Sequence, residues 1–149
     1  GFDPNYHEMI WEKNHNGLEY IKNIISKVDI VKPSEVDAER IFGCDTPKNQ
    51  VKKFIDLGAK LVIMTLGKDG AIVTNGDETL TFKTFATEIV DTTGAGDAFW
   101  SGFYTGLTKS YSLKDSLNLG FATSAFKLKH VGAIANLPTI EEIKDIYNI

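Results

Sequence analysis

The 149-residue sequence holds a single cysteine, Cys44, so no internal disulfide can form. A free cysteine of this kind is expected as a buried small residue. Long apolar runs are missing too: none approaches the ~20 residues that a membrane-spanning helix needs. The opening Gly1-Phe2-Asp3-Pro4-Asn5 has neither the basic stretch nor the apolar core of a secretory leader. Positive charge is not in excess, because sixteen Lys and Arg against twenty Asp and Glu leave a net charge of −4. That balance argues against a module built to grip nucleic-acid backbone. It does not exclude a small phosphate ligand, which a few oriented amides can hold. No segment repeats at a fixed period, and no low-complexity stretch or linker interrupts the chain. His15 and His130 have no partner at zinc-ligand spacing and read as ordinary surface or loop residues. What remains is a soluble, cytoplasmic protein of mixed structure whose 42% apolar residues can supply a core.

The chain alternates helical and strand patterns. Phe2-Asp3-Pro4-Asn5 reads as the tail of a strand leaving a sheet. Leu18, Ile21, Ile24 and Ile25 form one helical stripe, and Val28–Val31 is a short strand closed by Pro33. Ser34 with Asp37 opens a helix that Gly43 ends, and Thr46-Pro47 opens the next, which runs toward Gly58. Leu61-Val62-Ile63-Met64 is apolar at every position, as suits a strand covered on both faces. Ala71–Thr74 and Thr79–Thr84 flank Asn75-Gly76, a strong hairpin signal, and Thr87–Val90 reads as one more strand. Gly94–Leu107 and Leu113–Lys129 are helices rich in small residues, in which Gly102 and Gly106 let another backbone approach. Thr139 and Glu142 make a capping box for a last helix. The expected class is α/β, a mostly parallel sheet flanked by helices with one hairpin.

The most informative stretch is Ile89-Val90-Asp91-Thr92-Thr93-Gly94-Ala95-Gly96-Asp97-Ala98-Phe99, where a β-rich run feeds a Gly-rich turn and the turn feeds a helix. Free N–H groups and the positive end of the helix dipole meet at such a junction. Gly94 and Gly96 carry no side chain, so an anion can come close to the amides of Gly94, Ala95 and Gly96. Asp97 then stands in the first helical turn. It either caps the helix or takes the proton of a hydroxyl that attacks a phosphoryl group held by those amides.

This string resembles the C-terminal signature of the ribokinase/fructokinase (PfkB) sugar kinases, and the resemblance extends over nearly the whole chain. Phe2-Asp3-Pro4-Asn5-Tyr6 with Trp11, Ile30-Val31-Lys32-Pro33-Ser34-Glu35, Thr65-Leu66-Gly67-Lys68-Asp69-Gly70, and Gly132-Ala133 followed by Leu137-Pro138-Thr139 are similar to further segments of that family. The resemblance implies the C-terminal part of a ribokinase-like fold and ATP-dependent phosphorylation of a sugar. Fructose is the first choice and ketodeoxygluconate the alternative. Asp97 would be the general base, and the amides of Gly94, Ala95 and Gly96 the anion hole. Thr65, Gly67, Lys68, Gly70 and Ser34 would line the nucleotide. Ser34-x-x-Asp37 stands where the family has N-x-x-E near the metal-bound phosphates, so Asp37 is a water-mediated Mg²⁺ ligand, a helix-capping residue, or both. His7 replaces the family's usual Arg, removing a fixed positive fork. Asp91 and Thr93 on one side, with Leu128, His130 and Gly132 (mostly through backbone carbonyls) and Asn136 on the other, match a loop pair that binds a monovalent cation in many relatives; on that reading K⁺ raises activity. An ordinary turn-forming carboxylate is the other reading of Asp91.

Members of that family are about twice this length, and their Gly-Gly signature, most sugar contacts and β lid have no counterpart here. The expectation is therefore a C-terminal portion of a single kinase domain spanning 1–149, inactive alone and prone to self-association through an uncovered sheet edge. A nucleotide-binding or assembly module without turnover is the reading from another class.

Overall fold

Two units make up the computed structural model, Gly1–Lys83 and Thr84–Ile149. Residues 1–11 and 16–149 are described, and His15 lies outside them. In the first unit Phe2 forms a one-residue parallel bridge to Val31. Its N–H donates to the Ile30 carbonyl at 2.8 Å, and its carbonyl accepts from Lys32 at 2.9 Å. There follow α1 (Gly17–Ile25), β1 (Ile30–Val31), α2 (Glu35–Phe42), α3 (Pro47–Asp56), β2 (Leu61–Thr65), β3 (Ala71–Thr74) and β4 (Thr79–Phe82). Asn16, Ser34 and Thr46 begin the three helices by accepting a hydrogen bond from the N–H three residues on, as short polar side chains do at helix starts.

The sheet runs in the order β1-β2-β3-β4. β1 and β2 are parallel, with Ile30 opposite Leu61, whereas β2–β3 and β3–β4 are antiparallel. The antiparallel share exceeds the expectation of a mostly parallel sheet, because residues 66–70 also reverse the chain. A parallel crossover needs a dozen residues or more, so this short connection permits only a hairpin. Ile21, Ile25, Ile41, Val51 and Phe54 of the helices pack with Val31, Val62, Met64 and Ile72 of the strands. Each side chain of this size that is fully buried contributes about 1.5–3 kcal/mol. Ile63 points to the opposite face of β2 and is also fully buried, which accounts for the unbroken apolar run. Cys44 corrects its expectation: it is exposed, in the loop after Gly43 ends α2 with φ 81°, and therefore off the apolar stripe of that helix. Its thiol donates to Glu39 Oε1 at 2.7 Å, and that carboxylate raises the thiol pKa.

The second unit holds α4 (Ala95–Thr108), α5 (Leu113–Lys127) and α6 (Ile140–Tyr147). Residues 87–90 do not form the expected strand. Among the described residues only Val90 makes a backbone bond there, to the Leu128 carbonyl at 2.8 Å, and a strand needs a partner along its length. α4 and α5 pack closely through their glycines. A Cβ on Gly102 would sit 2.5 Å from Thr123 Oγ1 and 2.7 Å from the Leu119 carbonyl, and one on Gly106 would sit 2.8 Å from Ser116 Cα. Leu119, Ala122 and Ile143 join α5 to α6, with Phe85, Tyr111, Phe126 and Tyr147 packed around them. The Thr139–Glu142 capping box is complete at the start of α6. Among the described residues no helix is long and apolar enough to cross a membrane.

Candidate active site

α4 begins with a left-handed residue. Gly94 is its N-cap at φ 78° and ψ 3°, a conformation that a side chain disfavours. A Cβ there would also lie 2.6 Å from the Ala133 carbonyl. Within this turn the Ala95 N–H donates to the Thr92 carbonyl at 3.1 Å, and the Ala98 N–H to the Gly94 carbonyl at 3.0 Å. The N–H groups of Gly94, Gly96 and Asp97 have no partner among the described residues. The free donors therefore differ from the expected trio: Ala95 is engaged in closing the turn, and Asp97 contributes its own amide instead. Unpaired N–H groups in the first turn of a helix, together with its dipole, favour an anion.

The Asp97 side chain differs from the acidic residues at the same third helical position elsewhere. Glu19 accepts from Asn16 at 3.1 Å, Asp115 from Ser112 at 2.6 Å and Glu142 from the Thr139 N–H at 2.8 Å. Asp37 accepts from the N–H of Ser34 at 2.9 Å and from its hydroxyl at 2.6 Å. Each of these is tied to its own N-cap residue. Gly94 offers no side chain, and the exposed Asp97 carboxylate accepts no hydrogen bond from any described residue. Capping is thus not what Asp97 does. It is an exposed, unengaged carboxylate beside unpaired amides, an arrangement able to take a proton from a hydroxyl brought to it.

The turn itself is held from both sides. Asp91 Oδ1 accepts from the Thr93 N–H at 2.9 Å, and Oδ2 accepts from the Gly132 N–H at 2.7 Å. These two amides, with the Thr93 hydroxyl and the charge of Lys127, bring the Asp91 pKa down to about 2. The Leu128 carbonyl accepts from Val90 at 2.8 Å and from Asp91 at 3.2 Å. From α5, Ser124 Oγ donates to the Ala95 carbonyl at 2.9 Å, and Lys127 Nζ donates to the Asp91 carbonyl at 3.0 Å. Of the six residues expected around a monovalent cation, Asp91, Thr93, Leu128 and Gly132 are thus brought together. The His130 ring lies on Phe126, with Nδ1 3.0 Å from that residue's carbonyl, and Asn136 is exposed. Among the described residues the carbonyls of Thr93, His130 and Gly132 accept no hydrogen bond, while that of Asp91 accepts from the Lys127 ammonium.

Lys127 and Ser124 were not singled out in the sequence. The signal for Lys127 is the spacing Ser116, Gly120, Thr123, Lys127, which places a lysine on the small-residue stripe that faces α4.

In the first unit Ser34 and Thr65 form a parallel bridge just beyond the paired ends of β1 and β2. The Thr65 N–H donates to the Pro33 carbonyl at 3.0 Å. Both lie at the carboxyl ends of parallel strands, the usual ligand edge of an open α/β sheet. The 67–70 turn follows directly. Gly67 has φ 56° with open space where a side chain would be, whereas a Cβ on Gly70 would overlap the Phe82 carbonyl. Lys68 is exposed with no ionic partner among the described residues. Asp37 is buried, its second oxygen accepting from the Tyr6 N–H at 2.9 Å, and Arg40 Nη1 donates to the Tyr6 carbonyl at 3.1 Å. Asp37 performs the capping role. Among the described residues no cluster of three or more His, Cys, Asp or Glu side chains is placed to hold a metal ion. His7 is exposed and uses Nδ1 to accept from the Met9 N–H at 3.3 Å.

Residues 1–140 match the model of the pfkB family carbohydrate kinases. An ATP-dependent 6-phosphofructokinase of Thermoanaerobacterium thermosaccharolyticum is 71% identical over 148 residues, 99% of this chain and 46% of that protein. The crystal structure of aminoimidazole riboside kinase from Salmonella enterica, complexed with aminoimidazole riboside and an ATP analog, superposes with a TM-score of 0.87 at 26% identity, covering 98% of this chain and 51% of that one. A fructokinase double mutant from Vibrio cholerae, in a form bound to fructose, ADP and potassium ion, gives a TM-score of 0.85 at 26% identity over 97% of this chain and 48% of that one. The fold is ribokinase-like. The chain spans about half the length of the curated relatives it matches.

Proposed function

The chain belongs to the pfkB family of carbohydrate kinases, and from that premise we propose that it supplies the nucleotide-binding and catalytic-base portion of a cytoplasmic sugar kinase domain. The observation that carries the reading is the Asp97 carboxylate, unlike its counterparts at other helix starts in accepting no hydrogen bond among the described residues, next to the unpaired amides of Gly94, Gly96 and Asp97. In the proposed reaction Asp97 accepts the proton of a sugar hydroxyl as its oxygen attacks the γ-phosphorus of ATP. The P–O bond to ADP breaks, and the three amides hold the oxygens of the transferring phosphoryl group. Phosphoryl transfer needs positioning and charge stabilisation more than covalent chemistry, so these groups suffice on the acid–base side. Ser34, Thr65, Gly67 and Lys68 are proposed for the nucleotide. Gly70 serves the turn, and Mg²⁺ enters as part of the MgATP substrate.

For the acceptor, the 71% identity to a 6-phosphofructokinase over nearly all of this chain supports fructose 6-phosphate. Unphosphorylated fructose is the second reading, supported by the likeness to the fructokinase. Relatives about twice as long support a site completed by residues beyond these 149. The test is an ADP-release assay of the complete kinase with fructose 6-phosphate, fructose, 2-dehydro-3-deoxygluconate and ribose. A kcat/KM highest for fructose 6-phosphate is expected; transfer to none of the four refutes the kinase reading. The 149 residues alone are expected to transfer to none, because positioning worth up to ~7–11 kcal/mol is lost without the acceptor's contacts. Sugar phosphorylation by them alone would refute the portion reading.

A further inference from the structure

The planarity of the peptide group ties one of the unpaired amides at the start of α4 to α5. In a trans peptide the N–H points opposite the preceding C=O in one plane, so whatever fixes the carbonyl also fixes the N–H. The Gly96 N–H, which has no partner among the described residues, shares its peptide with the Ala95 carbonyl. That carbonyl accepts from Ser124 Oγ of α5 at 2.9 Å. The Gly94 N–H shares its peptide with the Thr93 carbonyl, which accepts nothing among the described residues. Gly96 is therefore the free amide whose peptide is gripped from a second helix. The Ser124 hydroxyl also departs from its neighbours. Thr105 and Thr123 each donate at 2.7 Å to the carbonyl four residues back in their own helix, as mid-helix hydroxyls commonly do. Ser124 donates across the contact between helices instead. A short side chain reaches that far because the backbones run close: a Cβ on Gly120, one turn before Ser124, would lie 3.0 Å from the carbonyl of Phe99, one turn after Ala95. A hydrogen bond accepted by the carbonyl also polarises the peptide and makes its N–H a stronger donor.

We propose that Ser124 is a positioning residue: its hydroxyl, bound to the Ala95 carbonyl, aims the Gly96 N–H at the transferring phosphoryl group and strengthens it as a donor. This deepens the kinase reading and rests on it for its kinetic consequence alone, since the state of the Gly96 peptide is measurable without turnover. Ser124 acts through Ala95 and Gly96 and touches no substrate itself. Donors that already point to where charge develops need no reorganisation at the moment of reaction, and a bond from a packed helix supplies that fixed direction.

The test uses the complete kinase as wild type, Ser124→Ala and Ser124→Thr, each carrying isotope-labelled glycine. The amide nitrogen shifts of Gly96, Gly102 and Gly106 are read by NMR beside kcat and KM. In Ser124→Ala the Gly96 shift is expected to move, because its peptide loses the bond that polarises it. Gly102 and Gly106, which pack on α5 farther along α4, should keep theirs. The expected fall in kcat is about tenfold, less than the roughly 10²–10³-fold of removing such a donor outright. KM for ATP and for the sugar should change little. Ser124→Thr keeps the hydroxyl and should retain both the Gly96 shift and most of kcat. An unmoved Gly96 shift in Ser124→Ala overturns the proposal, as does a kcat there within about twofold of wild type, against the loss expected for a misaimed donor. Equal losses in Ser124→Ala and Ser124→Thr overturn it too, and so do shifts that move at all three glycines, the mark of a merely loosened helix pair. Should Ser124→Ala fail to fold, Ser124→Val against Ser124→Thr, alike in shape, makes the same comparison. Absence of turnover in the wild type refutes the kinase reading, while the Gly96 shift still decides whether Ser124 holds that amide.

Discussion

Replacing Asp97 by Asn separates catalysis from stability in a way that the other helix-start carboxylates cannot. The carboxylate accepts no hydrogen bond from any described residue, so the amide breaks no contact. What is lost in stability is a negative charge in the first turn of α4, about 0.3–1 kcal/mol. For a chain of this size that lowers Tm by at most about 4 °C. What is lost in catalysis is a general base, about 10²–10⁴-fold in kcat, or roughly 3–5 kcal/mol of transition-state stabilisation. Asp37→Ala is the contrast. It removes a cap worth about 0.5–2 kcal/mol and leaves the buried Tyr6 N–H unpaired at about 1–3 kcal/mol. A Tm loss clearly larger than that of Asp97→Asn is therefore expected. The assay pairs ADP release with thermal unfolding and nucleotide affinity by calorimetry, all on the complete kinase. Asp97→Asn should keep its Tm and its affinity for ATP while turnover collapses. Turnover within about threefold of wild type, against the loss expected for a general base, would refute the assignment. So would a Tm loss as large as that of Asp37→Ala.

Two further outcomes follow from the second unit. The Asp91 pKa is lowered to about 2 by the Thr93 and Gly132 amides, so its charged form is favoured by folding. The stability it adds is present above the ordinary carboxylate pKa near 4 and is lost as pH falls from there toward 2. Thermal unfolding at pH 5, 4 and 3 should show that decline, and Asp91→Asn should flatten it; an equal slope in the variant would contradict the linkage. Gly102→Ala would set a Cβ 2.7 Å from the Leu119 carbonyl and 2.5 Å from Thr123 Oγ1. A loss of about 1–3 kcal/mol from overpacking is expected to exceed the ~1 kcal/mol gain in helix propensity. A Tm equal to or above wild type would show that α5 gives way.

Much of the secondary structure was legible in local sequence because its determinants are local. Ser34, Thr46, Thr139, Pro47 and Gly43 mark helix ends through bonds and backbone angles that span only a few residues. The turn within the nine residues from Asp91 to Phe99 was legible for the same reason, since a left-handed Gly94 and a helix start are written in adjacent positions. What lay beyond the sequence depends on partners distant in the chain. Whether Thr87–Val90 becomes a strand depends on a neighbour along its length, and only Val90 finds one, at Leu128. That Asp37 also ties down a distant segment depends on Tyr6, thirty-one residues away, whose N–H donates to its second oxygen. Ala95 leaves the set of free amides because the turn closes on Thr92. The sequence alone determined the family and the helix starts, and it singled out Asp97 as the residue proposed for the chemistry. The tertiary structure decided which amides are free, that Asp97 is not a cap, and that a lysine thirty-six residues beyond Asp91 holds its carbonyl. Local hydrogen-bonding preferences are encoded within a turn of chain, whereas a buried charge acquires its role only from what packing sets beside it.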